Sequence, residues 1–278
     1  MRLLHARRVL AADKRGSSWP VLVETEEEGE SALQFTKLRG AAQGTGALVA
    51  EVIVAELAES LGLRVPARAL VEFPDAVESV DENDELADLL LASAGLNLGF
   101  AYLRDASIFV PGADVARVAE EEAAAILWLD GLVANPDRTA RNPNLLWREN
   151  ALWLIDHGAA LGFQYALPEG GVSSARKSYA LREPHLLHQY VSAVAALDDA
   201  LAGRLTADKV ARAVAEVPDA FLAPLIAADG SETLASRRAA YVDYLVQRLE
   251  PPRPFLAPEA APNEQRRRGR PAWISRQG

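Results

Sequence analysis

The pattern of hydrophobic and polar positions changes from strand-like to helix-like along the chain. In the N-terminal third, apolar and polar residues alternate over 32–38 and 68–73, which predicts β-strands there. Residues 48–61 between them have helical periodicity and end at Gly62, which predicts a helix. We therefore expect residues 8 to about 72 to form strand, turn, strand, helix and strand.

Beyond Pro111 the periodicity is mainly helical. It predicts four helices, at 115–133, 183–201, 206–217 and 236–249. Thr206 is the predicted N-terminal cap of the third. Two apolar runs that flank a polar turn, 145–147 and 152–155, predict a β-hairpin. The acidic stretch 78–94 is compatible with a short helix, and 99–103 is either the approach to a hinge between two lobes or a core strand. The pattern predicts an α+β fold, sheet-rich first and helical afterwards.

Residues suited to phosphoryl transfer surround this predicted hairpin. Asp137 is followed five positions later by Asn142, and the hairpin ends in Asp156-His157-Gly158. Phosphoryl transfer needs a carboxylate beside the accepting hydroxyl and oxygen ligands that hold Mg²⁺ on the phosphates. We interpret Asp137 as the base and Asn142 with Asp156 as metal ligands, because a hairpin brings its two ends together. Each fragment alone is also typical of turns and strand ends, but their order favours catalysis.

The segment 135–142, followed by 152–158, resembles the HipA-like kinases, bacterial serine/threonine kinases related to the toxin of the HipA/HipB pair. The resemblance covers about residues 10 to 195. In that family, as in phosphoinositide kinases, an Arg directly follows the catalytic Asp, as Arg138 does here. In that family a His often lies two positions after the catalytic Asp. This chain has Thr139 at that position, so any role of that His is absent or taken by another residue here. His157 stands where ordinary kinases have Phe.

The resemblance implies a two-lobed protein-kinase-like fold, with an N-lobe at 1–104 and a C-lobe at 105–250. It also implies ATP and Mg²⁺ as cofactors, a Ser or Thr hydroxyl of a protein as acceptor, and an antitoxin-like partner. The chain itself is an alternative acceptor, at Ser17 or Ser18. Two other functions stay open: a small-molecule or lipid-headgroup kinase, suggested by the Asp-Arg order, and a nucleotide-binding pseudokinase that acts as an interaction module.

The N-terminal third supplies the other residues that a kinase needs. A Lys on a strand holds the α- and β-phosphates and is paired with a Glu on the following helix. Lys37 lies in the predicted strand 32–38, and Glu51 lies in the first turns of the helix after it. At the predicted hinge, Tyr102 and Leu103 are expected to meet adenine through their backbone groups.

Two Gly-containing segments compete for the role of covering the phosphates. HipA-like proteins use a short Gly/Ser turn upstream of the Lys, which favours Gly16, Ser17 and Ser18, and a plain hairpin turn is the structural alternative there. The segment 40–46 follows the Lys and is the other candidate; its simpler role is to connect strand and helix.

Composition agrees with an enzyme of this kind. The chain has 278 residues, no Cys and a formal net charge of −10. The length suits one two-lobed domain, and the missing Cys excludes disulfides and thiolate metal sites. The negative charge argues against a broad nucleic-acid surface. No apolar run approaches the length of a membrane span and the N-terminus lacks the core of a signal peptide, so we expect a cytoplasmic protein.

Three segments carry weaker predictions. The region after Asp156 lacks the Ala-Pro-Glu closure of ordinary kinases, and 168–178 is expected to be a mobile loop near the acceptor. His185 and His188 would share one helix face and are interpreted as surface or packing residues rather than metal ligands. The Pro-rich segment 251–278 is predicted to be a disordered tail, in which the basic run 266–271 offers at most weak contact with DNA.

Overall fold

The computed structural model describes residues 1–14, 18–27, 29–167, 173–179 and 185–256. The N-terminal part is rich in sheet and the C-terminal part is mainly helical, as the hydrophobic pattern predicted. The strands are β1 (Arg2–Ala12), β2 (Val21–Glu27), β3 (Glu30–Lys37), β4 (Arg68–Phe73), β5 (Glu78–Ser79), β6 (Gly95–Ala101), β7 (Ser107–Ile108), β8 (Leu145–Arg148) and β9 (Ala151–Leu154). The helices are α1 (Gly44–Ser60), α2 (Asp84–Ala92), α3 (Pro111–Asp114), α4 (Glu120–Val133), α5 (Val191–Arg204), α6 (Ala207–Ala215), α7 (Asp219–Leu222) and α8 (Leu234–Leu249).

Five strands of the N-terminal part close into a barrel. The ring runs β1, β2, β3, β6, β4 and back to β1, and β5 adds to β1 outside it. The β1–β4 pairing is parallel, with Leu4 opposite Val71, and the other pairings of the ring are antiparallel. Val9, Val21 and Val23 alternate with more exposed neighbours and pack in one cluster with Val71. Closure leaves none of these five strands with a free edge.

Helix α1 joins this barrel to the C-terminal helices. Thirteen of its 17 residues are buried, because small and apolar side chains surround the helix on all faces. It contacts α4, α6 and α7, and Arg204 at the end of α5 donates to the carbonyl of Leu61 at 2.8 Å. An Arg at the carbonyl end of a helix also interacts favourably with the helix dipole. The predicted helix 48–61 is therefore confirmed, with four earlier residues added.

Most other predicted elements are also present. The strand 68–73 and the hairpin are confirmed as β4 and as β8 with β9. Residues 99–101 belong to β6, which confirms the core-strand alternative for them, and the hinge interpretation of 99–103 stays a prediction. The helix predicted over 115–133 is interrupted, because Ala119 is extended with ψ 137° and α4 begins after it.

One predicted helix is wrong in its first half. Helix α5 begins at Val191 rather than at 183. His185 forms an isolated antiparallel bridge with Thr139, and His188 begins a 3₁₀ turn, so the two histidines do not share a helix face. Tertiary hydrogen bonds to His185 and its neighbours override the local helical pattern here.

The packed chain extends past the boundary expected at 251. Phe255 is 1% exposed and packs edge-on against Trp128, with ring centroids 5.4 Å apart, and Arg253 pairs with Asp198. Residues 257–278, with the basic run 266–271, lie outside the described residues. Within the described ranges, none of the helices has both the length and the apolar character needed to cross a membrane.

We expect Gly99→Ala to destabilise the barrel. A Cβ at Gly99 would lie 2.6 Å from Val71 Cγ2 and 3.3 Å from Gln34 Cβ, so the added methyl group would overpack the interior. Overpacking of this kind costs about 1–3 kcal/mol, which urea denaturation would measure as a lower free energy of unfolding.

Gly203→Ala is the matched control for this substitution. Gly203 lies in α5, and a Cβ there would meet nothing within 4 Å. Because Ala favours a helix over Gly, we expect about 0.5–1 kcal/mol of stabilisation. A Gly99→Ala variant as stable as the unmodified protein would contradict the tight packing of β6 against β4.

Candidate active site

The ammonium of Lys37 lies at the centre of a buried charge cluster. Its Nζ donates to Glu51 Oε1 and to Asp156 Oδ1. The Lys37 side chain is 10% exposed, the Glu51 side chain is fully buried, and the Asp156 side chain is 38% exposed. Lys37 ends β3, Glu51 lies on α1 and Asp156 follows β9. The structure thus brings together three of the predicted site residues from three separate elements.

The charges in this cluster stabilise one another. Burial alone lowers the pKa of Lys37, but the carboxylates of Glu51 and Asp156 outweigh burial and raise it overall, so the ammonium stays charged. Burial raises the pKa of Asp156, but the contact with Lys37 outweighs it and holds that pKa below its ordinary value. For Glu51 burial dominates, and its pKa is raised. One ammonium therefore serves two carboxylates.

Asp137 and Asn142 lie together in the loop after α4. Asn142 Nδ2 donates to Asp137 Oδ2 at 2.8 Å. Asn144 Nδ2 donates to the same oxygen at 3.3 Å and to the backbone carbonyl of Asp156 at 3.4 Å. Asn144, which the sequence motif did not single out, therefore joins the loop to the Lys37 cluster. Its φ of 52° is a left-handed conformation that Asn tolerates better than most residues.

A tight turn orders the end of this loop. The N–H of Thr139 donates to the carbonyl of Asn142 at 3.0 Å, and the N–H of Asn142 donates back to the carbonyl of Thr139 at 3.2 Å. Thr139 Oγ1 also accepts from the N–H of Asn142 at 3.2 Å. Thr139, which replaces the His common in related kinases, thus has a role in shaping the turn.

Beneath the loop lies the fully buried carboxylate of Asp130, on α4. Its Oδ2 accepts from Arg138 Nε at 2.6 Å and from His185 Nε2 at 3.0 Å, and its Oδ1 accepts from Asn135 Nδ2 at 2.8 Å. Burial raises the pKa of Asp130, but Arg138 and His185 outweigh burial and hold that pKa well below its usual range. Asp130 is therefore a charged acceptor for three neighbours.

Two of those neighbours, Asn135 and Arg138, also form hydrogen bonds with the loop and so connect it to Asp130. Asn135 Oδ1 accepts from the N–H of Asp137 at 3.1 Å, a local turn typical of Asn. Arg138 Nη1 donates to the carbonyl of Asn144 at 2.6 Å. Sequence reasoning missed Asp130, since an Asp inside a helix is ordinarily solvated; the signal was its place in the long apolar run of α4.

His157 and Gly158 fit closely between the two charge networks. His157 is 1% exposed, and neither ring nitrogen has a hydrogen-bond partner among the described residues. Burial, with the nearby Arg138 cation, lowers the pKa of His157 to about 3, so its ring is neutral. A Cβ at Gly158 would lie 3.2 Å from Ala47 Cβ and 3.3 Å from Glu51 Oε1, so glycine permits the close approach of α1.

The predicted hinge residues differ in what they offer a ligand. The N–H of Tyr102 donates to the carbonyl of Leu33 at 3.1 Å, and its carbonyl accepts from the N–H of Arg104 at 3.1 Å. Both backbone groups of Tyr102 are thus engaged. The N–H of Leu103 has no partner among the described residues.

The two candidate phosphate loops remain predictions. Gly16 and Ser17 lie outside the described residues, and Ser18 lies in the connection between β1 and β2. The segment 40–46 links β3 to α1, and the N–H of Gly40 donates to Ser93 Oγ at 3.2 Å. A Cβ at Gly40 would lie 2.8 Å from that oxygen, so packing against α2 already explains this glycine.

The donor set suits Mg²⁺ bound together with nucleotide phosphates. Lys37 contributes one positive charge and Glu51, Asp137 and Asp156 contribute three negative charges, a formal excess of −2. One Glu51 oxygen, Oε2, is buried without a partner among the described residues. The described residues contain no cluster of His, Cys, Asp and Glu that would enclose an ion by itself. Mg²⁺ commonly takes one or two carboxylates from a protein and its other ligands from phosphates and water.

Comparison with known proteins agrees with the motif. The sequence model of the HipA-like kinase family matches residues 9–170, and the chain belongs to that family. A crystal structure of a Helicobacter pylori proinflammatory kinase, CtkA, has a TM-score of 0.47 and 12% identity to this chain, and the match covers 82% of this chain and 94% of that one. No curated protein is significantly similar to the chain in sequence.

Asp130→Asn should impair both stability and ATP turnover. The amide cannot compensate the buried Arg138 cation, so we expect the free energy of unfolding to fall by about 3 kcal/mol or more. Because Asn135 and Arg138 would no longer hold the loop, kcat should fall at least about tenfold while KM for ATP changes little. Urea denaturation and steady-state kinetics at a temperature where the variant is folded would measure both.

Asp198→Asn is a matched control, since Asp198 is also largely buried and pairs with Arg253 and with Trp128 Nε1, the latter at 2.7 Å. It lies on α5, and we expect it to lower stability without changing kcat per folded molecule. Equal kcat in Asp130→Asn and the control would mean that Asp130 contributes to folding alone.

Proposed function

We propose that the chain is an ATP- and Mg²⁺-dependent kinase that transfers the γ-phosphoryl group to a Ser or Thr hydroxyl of a protein. One observation carries the proposal. In a member of the HipA-like kinase family, the Lys37 ammonium lies between Glu51 and Asp156, and the Asn144 amide connects Asp156 to Asp137. In this interpretation the barrel with α1 is the N-lobe, 1–104, and the later helices are the C-lobe, 105–250.

The nucleotide would lie between the barrel and the β8–β9 hairpin. Lys37 binds the α- and β-phosphates while Glu51 keeps the ammonium in place. Asn142 and Asp156 would hold Mg²⁺, which neutralises charge on the phosphate oxygens. The N–H of Leu103 donates to the adenine ring. Asn142 can serve as a metal ligand because its Nδ2 is bonded to Asp137, so its Oδ1 points away from that carboxylate and is available to the ion.

In this proposal Asp137 acts on the acceptor hydroxyl. Two amides, those of Asn142 and Asn144, bind its Oδ2, and its Oδ1 has no partner among the described residues. That free oxygen orients the Ser or Thr hydroxyl and accepts its proton. The hydroxyl oxygen forms a bond to the γ-phosphorus, the bond from that phosphorus to the bridging oxygen breaks, and ADP leaves.

Substitution of the two aspartates should separate base from metal ligand. Asp137→Asn should leave the affinity for Mg²⁺-ATP within a few-fold, because this residue acts on the acceptor, but turnover should fall at least about a hundredfold. Asp156→Asn should weaken Mg²⁺-dependent binding as well as turnover, because a charged ligand is lost. Titration calorimetry with and without Mg²⁺, with mass spectrometry of phosphorylated lysate proteins, measures both.

Asp229→Asn, in the loop before α8, controls for the loss of one surface carboxylate. It should change neither the affinity for Mg²⁺-ATP nor turnover. Full transfer by Asp137→Asn, or unchanged Mg²⁺-ATP affinity in Asp156→Asn, would refute these roles. Nucleotide binding without transfer to any acceptor would identify a pseudokinase. Transfer to small molecules alone would identify the other class of kinase.

A further inference from the structure

Arg141 projects from the turn that also carries Asn142. The two hydrogen bonds between Thr139 and Asn142 make Ala140 and Arg141 the central residues of a two-residue turn. The Arg141 side chain is exposed, and it forms no hydrogen bond or ion pair with any described residue. Its charge is therefore free to act on a ligand beside the predicted base, Asp137.

Three other cations near this loop, unlike Arg141, have hydrogen-bond or ion-pair partners. Arg138 is neutralised by Asp130, Arg148 pairs with Glu149 at 3.1 Å, and Arg176 donates to backbone carbonyls at the end of α8 and beyond. Lys177, by contrast, is exposed and has no side-chain partner among the described residues. Of these cations, Arg141 and Lys177 thus have neither a carboxylate nor a hydrogen-bond acceptor among the described residues.

Hydrogen bonds place Lys177 on the same side of the molecule as the loop. The hydroxyl of Tyr179 donates to the carbonyl of Asn135, directly before Asp137. Arg248 Nη1 donates to the carbonyl of Lys177 at 3.2 Å, which fixes the backbone at that residue. The segment 157–167, which also borders the loop through the bond from the N–H of Leu161 to the carbonyl of Val133, contains no Asp or Glu. In a chain of net charge −10, the border of this loop thus combines two unpaired cations, Arg141 and Lys177, with a segment free of carboxylates.

We infer that the acceptor is a peptide segment with Asp or Glu next to the phosphorylated Ser or Thr. Arg141 binds the carboxylate nearest the accepting hydroxyl, and Lys177 binds one farther along the segment. This inference rests on the proposed function and adds the class of substrate to it. A planar guanidinium binds a carboxylate through paired hydrogen bonds, and a basic neighbour in the peptide would be repelled.

Three peptides that differ only beside a central Ser, with Glu, Gln or Lys there, test the inference. For the unmodified protein we expect kcat/KM to fall in the order Glu, Gln, Lys, by about two- to fivefold per step, the usual strength of an exposed ion pair. The preference should shrink as the salt concentration rises. Arg141→Glu should reverse the order. In a second set of peptides, with the Glu, Gln or Lys several positions from the Ser, Lys177→Glu should weaken the preference for Glu while leaving the order in the first set unchanged.

Arg212→Glu is the matched control, because Arg212 is exposed on α6 and has no side-chain partner among the described residues; it should keep the original order. Equal kcat/KM for the three peptides would overturn the inference. The inference would also fail if Arg141→Glu and Arg141→Gln lowered kcat/KM equally for all three peptides, since that result would assign Arg141 to the γ-phosphoryl group. A protein that binds Mg²⁺-ATP but phosphorylates no peptide and no lysate protein would instead refute the proposed function.

Discussion

The position of the loop that carries Asp137 depends on one buried interaction, the contact of Asp130 with Arg138. Both side chains are completely buried, and removing two charges from water costs several kcal/mol for each ion. Such a pair is tolerated only where the remaining hydrogen-bonding groups also find partners. Asn135 and His185 complete the acceptor side, and the carbonyl of Asn144 accepts from the guanidinium. Because any other loop conformation would leave one of these groups unpaired, the network selects a single conformation.

Helix α8 holds the same region from the opposite side. Arg248 is 1% exposed and donates to the carbonyls of Leu132 and Gly131, both at 2.6 Å. Burial lowers the pKa of Arg248, but the negative end of the α4 dipole offsets part of that cost. Helix α8 also binds the segment after Gly158, where Phe163 stacks on Tyr244 with ring centroids 3.7 Å apart. Both segments that border the site are therefore tied to one C-terminal helix.

These contacts explain what the sequence could predict and what it could not. The alternation that predicted β4 and the apolar periodicity of α1 are local, so they survive in the structure, and the short motif distances placed Asp137 beside Asn142. The contact of Lys37 with Asp156 spans 119 positions and was accessible only through the family motif. Asp130 accepts hydrogen bonds from three side chains, and Asn144 and Arg248 donate to backbone carbonyls. Such tertiary contacts leave no periodic signal in the sequence. The helix predicted for His185 is wrong because the His185 ring is bound to Asp130, 55 positions away in the sequence, a contact that the local pattern does not encode.

Helix α1 determines how far the site is assembled before a ligand binds. Glu51 lies on α1, whose buried residues pack in one cluster with Leu98 and Phe100 of the barrel and with the C-terminal helices, so α1 cannot move away without breaking that packing. Lys37 is consequently held at a fixed place against the Asp156 carboxylate, and the Asn144 amide joins the Asp137 carboxylate to the backbone carbonyl of Asp156. Like charges in a partly buried space repel more strongly than in water. The packing of α1 therefore holds a formal excess of negative charge at this site, which the Mg²⁺ of the proposed function would offset.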